Sequence, residues 1–394
     1  DIVGTLVTTD VDGSIDVLRA GRDLLLDARI LASANTIEAG RNVGRRSDGN
    51  DRALDIRGNL GSLSAGSQIF SDVLVGQSVT GTISSGRVRS KPSDDQVGTG
   101  DIVAFGRINA LSFEGDVNGN ITSKSGGIGA ITITNGSFRK GRTITALDGS
   151  IDRITITGGD LLGDIYTDGD LTNLELLSTG NFKSQIGISK FKSSARPING
   201  DSFRNQLPPD TFLTAGVDGP RIYAGHDIVR IFVQGGNIWE TTIQAGRSIR
   251  SLEVRGGGIN NDNFTTVQGT SIIAGDSIES VLVTGKSSRV SAIVGVLALG
   301  SDNALGGVGS AADTVKEGSI GSINFQGGGS SNIRISAGVN AGADGVYNTG
   351  DDRLAEGRSS ISSVNVQNAR TSSVYADGAV SRATGGNGLT VVRN

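Results

Sequence analysis

The chain has 394 residues, of which 61 are glycine and none is cysteine or methionine, and its formal net charge is −4. Without cysteine there is no disulfide framework and no thiolate metal site, and without a basic excess nothing displaces counterions from phosphates, which excludes nucleic acid as a main partner. No stretch reaches the ~18 consecutive apolar residues of a membrane span, so no membrane-spanning helix is expected.

In the first hundred residues, short apolar phrases alternate with glycines. Ile15-Asp-Val17, Leu54-Asp-Ile56, Leu60-Gly-Ser-Leu63 and the pair Val79 and Ile83 read as strands, with bends at Gly21, Gly40, Gly58, Gly66 and Gly76. Residues 45–51 and 90–101 lose this periodicity, the second around Pro92, and read as polar excursions.

Residues 108–182 then state one phrase four times: Ile108-Asn-Ala-Leu111-Ser-Phe113, Ile128-Gly-Ala-Ile131-Thr-Ile133, Ile151-Asp-Arg-Ile154-Thr-Ile156 and Leu171-Thr-Asn-Leu174-Glu-Leu176. The starts at 108, 128, 151 and 171 lie 20, 23 and 20 residues apart. A second apolar position follows each phrase at Val117, Phe138, Leu161 and Phe182, and a third at Ile121, Ile144, Ile165 and Ile186. Apolar residues two apart share one face of a strand, so the period is that of strands, not of a helix. A repeat near 20 residues with about three short strands cannot bury its apolar face alone. Stacked coils would bring Ile128 to Ile151, Ile131 to Ile154 and Ile133 to Ile156, with the backbone satisfied between coils.

Residues 189–220 hold four of the five prolines, Pro197, Pro208, Pro209 and Pro220, together with Phe191, Phe203 and Phe212. The aromatics point to an ordered insertion rather than a linker. The phrase resumes at Ile228-Val-Arg-Ile231-Phe-Val233 and Ile249-Arg-Ser-Leu252-Glu-Val254. It continues at Ile278-Glu-Ser-Val281-Leu-Val283, Ile320-Gly-Ser-Ile323-Asn-Phe325 and Ile361-Ser-Ser-Val364-Asn-Val366. The last two gaps, 42 and 41 residues, are each close to two coils with some looping. Residues 298–318 and 338–357 are the loop excursions. The expected fold is therefore all-β: a right-handed parallel β-helix, or β-solenoid, with coils of about 20–23 residues. It forms one elongated domain over 1–394.

The repeated phrase, introduced by Gly149-Ser-Ile151, Gly318-Ser-Ile320 and Asp276-Ser-Ile278, resembles the Gly- and Ile-rich β-helical repeats of large secreted bacterial surface proteins, adhesin-like and autotransporter-passenger-like chains among them. The resemblance implies an architecture and a place on the cell exterior, not an activity.

One stretch suits a ligand. Gly342-Ala-Asp344-Gly-Val-Tyr-Asn348-Thr-Gly-Asp351-Asp352 gathers three carboxylates and an amide in nine residues of a glycine-rich loop, the oxygen chemistry that a calcium ion takes. It is similar to the Asp-Gly … Thr-x-Asp-Asp loops of secreted bacterial proteins, with Asn348 where glycine is usual. Asp344, Asn348, Asp351 and Asp352 are thus the candidate metal ligands.

Other motifs read as structure. Asp10-Val-Asp12-Gly13 opens like a calcium loop, but Arg19 stands where the closing Glu belongs, so a β-turn is expected. Gly285-Lys286-Ser287 lacks the first glycine of a phosphate loop and a following helix. The single histidine, His226, has no nucleophile motif beside it. Asp148, Asp152, Asp160, Asp164, Asp168 and Asp170 offer the carboxylates that a polysaccharide-cleaving β-helix needs, yet aromatics for sugar platforms are only 4% of the chain. These aspartates read as turn residues. Thr132, Thr134, Thr155 and Thr157 form a short Thr-x-Thr ladder, broken at Ser112, Glu175 and Phe232.

The absence of methionine even at position 1 points to a processed product or a piece of a longer chain. With no catalytic residues assigned, the expected role is that of an extracellular structural protein. It would be a β-solenoid rod serving as a fibre, surface-layer or adhesin module, self-associating end to end and meeting cell-surface glycans. The alternative is a polysaccharide-acting β-helix lyase or hydrolase.

Overall fold

The computed structural model describes residues 1–7, 13–44, 53–86, 100–177, 186–188, 221–239, 241–259, 269–298, 314–328, 330–340, 353–354 and 359–393. The chain divides into two compact units, Asp1–Ile186 and Gly187–Asn394. Both are parallel β-helical stacks, and the insertion expected at 189–220 lies outside the described residues.

In the first unit the repeated phrase forms one face. Its strands are Ile15–Ala20, Ala34–Ala39, Leu60–Ala65, Val79–Ser85, Ile108–Glu114, Ile128–Thr134, Ile151–Thr157 and Leu171–Leu177. Each pairs in parallel with the next. The register is the expected one: Ile128 opposes Ile151, Ile131 opposes Ile154 and Ile133 opposes Ile156. A companion face is built from shorter strands, Ile2–Val7, Leu24–Ile30, Ala53–Ile56, Asp72–Val75, Ile102–Ala104, Ile121–Ser123, Thr143–Ala146 and Asp164–Thr167. These too pair in parallel. A third side consists of single bridges, Val43 to Ile69 and Val117 to Phe138 to Leu161. The three apolar positions of each repeat are the three walls of one coil.

The core lies between these walls as columns of like residues. Ile131, Ile133, Phe138, Ile144, Ile154, Ile156 and Leu161 are all fully buried. At roughly 1.5–3 kcal/mol per buried aliphatic side chain, the columns supply the main drive for stacking. A coil alone has no partner for either its apolar side chains or its peptide groups, so the unit gains stability only by adding neighbours.

The second unit repeats the plan. Its phrase strands are Ile228–Gln234, Ser248–Arg255, Ser277–Val283, Ser319–Phe325, Ser360–Val366 and Val380–Thr384, joined in parallel. The companion face holds Arg221–Ala224, Thr242–Ala245, Thr270–Ala274, Ser288–Val294, Ser331–Ala337, Ser372–Ala376 and Leu389–Arg393.

One expectation is corrected here. Ile278 pairs directly with Ile320, and Ile320 with Ile361, so each long gap is one coil and not two. The extra residues leave as antiparallel ribbons, Val296–Ala298 against Thr314–Val315 and Val339–Asn340 against Arg353–Leu354. Both ribbons start after a left-handed glycine, Gly295 (φ 85°) and Gly338 (φ 64°). These two glycines follow the paired residues Val294 and Ala337, so the ribbons depart from the same corner of consecutive coils.

Glycine columns set the tight corners after the phrase strands. A Cβ on Gly257 would lie 1.7 Å from the carbonyl oxygen of Gly236, and one on Gly285 would lie 2.3 Å from that of Gly257. Backbone fills the space that a side chain would take.

Candidate binding surface

The coil corners are closed by side chains that reach one coil along the stack. In the first unit the acceptor usually belongs to the earlier coil. Asp72 Oδ1 accepts from Asp101 N (2.8 Å), Asp101 Oδ1 from Asn120 N (2.8 Å) and Asn120 Oδ1 from Thr143 N (3.0 Å). A second ladder runs from Asp116 through Ser137 to Asp160 (2.7 and 2.9 Å). Aspartate, asparagine and serine recur at corners because their short side chains match the reach to a neighbouring amide.

A third ladder carries the best-buried charge among the described residues of the first unit. Asp23 N donates to Asp1 Oδ1, and Asp23 Oδ1 in turn accepts from Asn42 N and Asn42 Nδ2. Arg41 Nε donates to Asp23 Oδ1 at 2.8 Å, and Arg41 Nη2 pairs with the other carboxylate oxygen. The Arg41 bond, against the cost of burial, lowers the Asp23 pKa to about 2 and raises that of the guanidinium.

In the second unit two corners keep that direction, at Asp227 and Asn237. From Thr241 onward the acceptor belongs to the later coil and is a hydroxyl. Thr241 N donates to Thr270 Oγ1, Ile259 N to Ser287 Oγ (3.1 Å), Ser287 N to Ser330 Oγ (3.2 Å), Gly318 N to Ser359 Oγ (3.1 Å) and Ile333 N to Ser372 Oγ. Thr270, Ser287, Ser330 and Ser359 are fully buried.

Of the aspartates weighed as a catalytic face, Asp168 takes up such a corner position. Asp168 accepts from Asp148 N and from the Tyr166 hydroxyl, and Asp152 pairs with Arg107 (2.6 Å) on the exposed surface. The backbone amides of Asp160 and Asp170 are bound by Ser137 and Ser150. Asp148 itself turns the chain at φ 55°.

His226 is exposed at a bend, and Ser287 leads into a strand with no helix following. Thr132 opposes Thr155, and Thr134 opposes Thr157, with Ser112 and Glu175 on either side. Asp10 and Asp12 lie outside the described residues; Asp16 accepts from Asn35 Nδ2 (3.0 Å).

The candidate metal ligands Asp344, Asn348, Asp351 and Asp352 also lie outside the described residues. They fall in sequence between the paired strands Val339–Asn340 and Arg353–Leu354. Among the described residues no group of three or more His, Cys, Asp or Glu is placed to hold a metal ion.

A concave feature that sequence reasoning missed lies on the companion face of the second unit. It is a shallow cleft of about 270 Å³ lined by Asn332, Arg334, Thr371, Ser372, Ser373, Tyr375 and Thr390. Arg334, Ser373 and Thr390 form one row across three adjacent strands, and Tyr375 belongs to the next row. Arg334 is exposed, and no acidic residue lines the cleft among the described residues.

Its rim is shaped by the backbone. Asn332 (φ 54°) and Thr371 (φ 50°) are left-handed and follow the paired residues Ser331 and Arg370; Arg289 (φ 51°) occupies the same place one coil earlier. A left-handed threonine is an uncommon conformation that its surroundings must hold. Here Asn332 N donates to Arg370 O (3.0 Å), and Ser372 Oγ donates to the same carbonyl (3.2 Å).

Comparison with protein-family models, with curated proteins and with solved structures finds no match.

Proposed function

We propose that this chain is an extracellular structural protein of the bacterial cell surface, a β-solenoid serving as a fibre, surface-layer or adhesin module that associates with copies of itself. The observation that carries this reading is the in-register stacking of coils, since such a stack grows by repetition and presents open strand edges where it stops. Ile2–Val7 pairs on one side with Leu24–Ile30, and its other side has no strand partner among the described residues. Inward-facing Ile2 and Leu6 stay half-buried while Leu24, opposite Ile2, is sealed; inward-facing Val391 in Leu389–Arg393 is 37% exposed. A further coil laid on either edge, of the same polypeptide or of a copy, would cover these side chains and pair their peptide groups.

Electron microscopy of the purified protein over a range of concentrations tests this. Filaments or lattices that grow with concentration support it. Isolated single particles at every concentration overturn self-association.

In the same reading Asp344, Asn348, Asp351 and Asp352 bind calcium. Titration with Ca²⁺ should then release or absorb heat and raise the melting temperature. Neither response, or an unchanged response in Asp351→Asn/Asp352→Asn, removes calcium from the account.

A further inference from the structure

We propose that the cleft around Arg334 binds a carboxylate-bearing sugar residue of an acidic polysaccharide. This goes beyond self-association, because it assigns a ligand site to one face of the second unit that the stacking of coils does not use.

Three features combine. The first is charge: Arg334 projects from one end of the row Arg334, Ser373 and Thr390, and among the described residues no acid lines the cleft and no ion pair engages Arg334. Its planar fork suits a carboxylate with two parallel N–H···O bonds. The second is the hydroxyl set. Ser373 and Thr390 stand on successive strands at the ~4.8 Å inter-strand spacing, with Thr371 at the rim. Such hydroxyls both donate and accept, as neighbouring hydroxyls on a sugar ring require. The third is Tyr375, a half-buried aromatic in the adjoining row that gives the apolar face of a sugar a surface to lie on.

The shape favours a chain over a free ion. The cleft is open, it is wider than one carboxylate needs, and its polar groups run across the strands rather than converging on one point. The left-handed residues Asn332 and Thr371 fix the rim where a regular strand would present a flat surface. A neutral polysaccharide would satisfy the hydroxyls and leave the guanidinium unused. An inorganic anion would do the reverse.

The test uses the full chain and three probes: an oligogalacturonate, a neutral oligosaccharide of the same length, and sodium sulfate. Calorimetry should show binding of the oligogalacturonate about tenfold or more tighter than of the neutral sugar, with sulfate a poor competitor at equal concentration. Arg334→Gln should weaken acidic binding about tenfold or more while leaving the melting temperature unchanged, because the side chain is exposed. Tyr375→Ala should weaken acidic and neutral sugars alike. No preference for the acidic sugar, or equal binding by Arg334→Gln, overturns the proposal. Sulfate competing as well as the sugar reassigns the cleft as a general anion site and overturns it equally. Filament formation read in parallel separates this result from the self-association reading, since the Arg334 change leaves the strand edges intact.

Discussion

The two units share one coil plan and close its corners with different chemistry. In the first, carboxylates such as Asp72 and Asp101, the amide of Asn120 and the hydroxyls of Ser137 and Ser150 hold the amides of the next coil. In the second, from Thr241 onward, buried hydroxyls of the later coil hold amides of the earlier one, as in Ser287 and Ser330. Carboxylates thus carry a share of this backbone demand in the first unit that hydroxyls carry in the second. Stability should therefore respond to acid differently in the two units, although their cores are built alike.

The largest effects should be common to both. Ile154→Ala in the first unit and Ile323→Ala in the second each remove a fully buried side chain from a column, at a cost of about 2–5 kcal/mol. Hydrogen exchange should place the loss within the unit that carries the change. Equal loss of protection in both would show that they unfold as one body.

Next in size is the corner geometry. Gly257→Ala drives a Cβ against the Gly236 carbonyl and should cost about 1–3 kcal/mol in thermal or denaturant melts. An unchanged melt would show that the corner relaxes freely.

Acid then separates the units. Asp23 has a folded pKa of about 2, below its ordinary value of 3.8, so its stabilisation is present above pH 4 and is lost as the pH falls toward 2. Because Arg41 is half in solvent, the effect is about 1–2 kcal/mol, and Asp23→Asn should abolish that part of the acid transition. Asp377 in the second unit behaves in the opposite sense. Its Oδ2 is buried with no hydrogen-bond partner among the described residues, and burial raises its pKa. The proton it takes up in the folded state makes that corner more stable as pH falls, so Asp377→Asn should raise the melting temperature at pH 7 and change it little in acid. A lower melting temperature at pH 7 would mean that the carboxylate has a partner.

One hydroxyl rung is comparable in size. Ser330→Ala leaves the buried amide of Ser287 without its acceptor, a loss of about 1–3 kcal/mol if water stays out and less if it enters. The exposed Asp152–Arg107 pair gives the lower bound: Asp152→Ala should change stability by no more than about 0.5 kcal/mol.

Much of the phrase face was legible because its strands carry three inward apolar residues at fixed spacing, as in Ile151, Ile154 and Ile156. The companion face was legible only in part. Its strands are short and end inward on alanine, as in Ile222-Tyr-Ala224, Ile243-Gln-Ala245 and Val374-Tyr-Ala376, so an alternation of two residues barely registers. Ala34–Ala39 was missed on the phrase face for the same reason, because alanine fills the column where isoleucine is usual. The gaps before Ile320 and Ile361 misled because a coil and a ribbon excursion each add about 20 residues; only pairing distinguishes them. The cleft left no mark in the sequence at all, since Arg334, Tyr375 and Thr390 come together only when three coils stack.

That pairing admits a direct measurement, because the chain has no cysteine of its own. Ser280 opposes Ser322, and Ser322 opposes Ser363, on the outer side of neighbouring phrase strands. Neighbouring strands stand ~4.8 Å apart, within reach of a disulfide. The double variant Ser280→Cys/Ser322→Cys should cross-link under mild oxidation, and Ser280→Cys/Ser363→Cys, two strands apart, should not. The reverse pattern, or equal cross-linking of both pairs, would contradict the in-register stack.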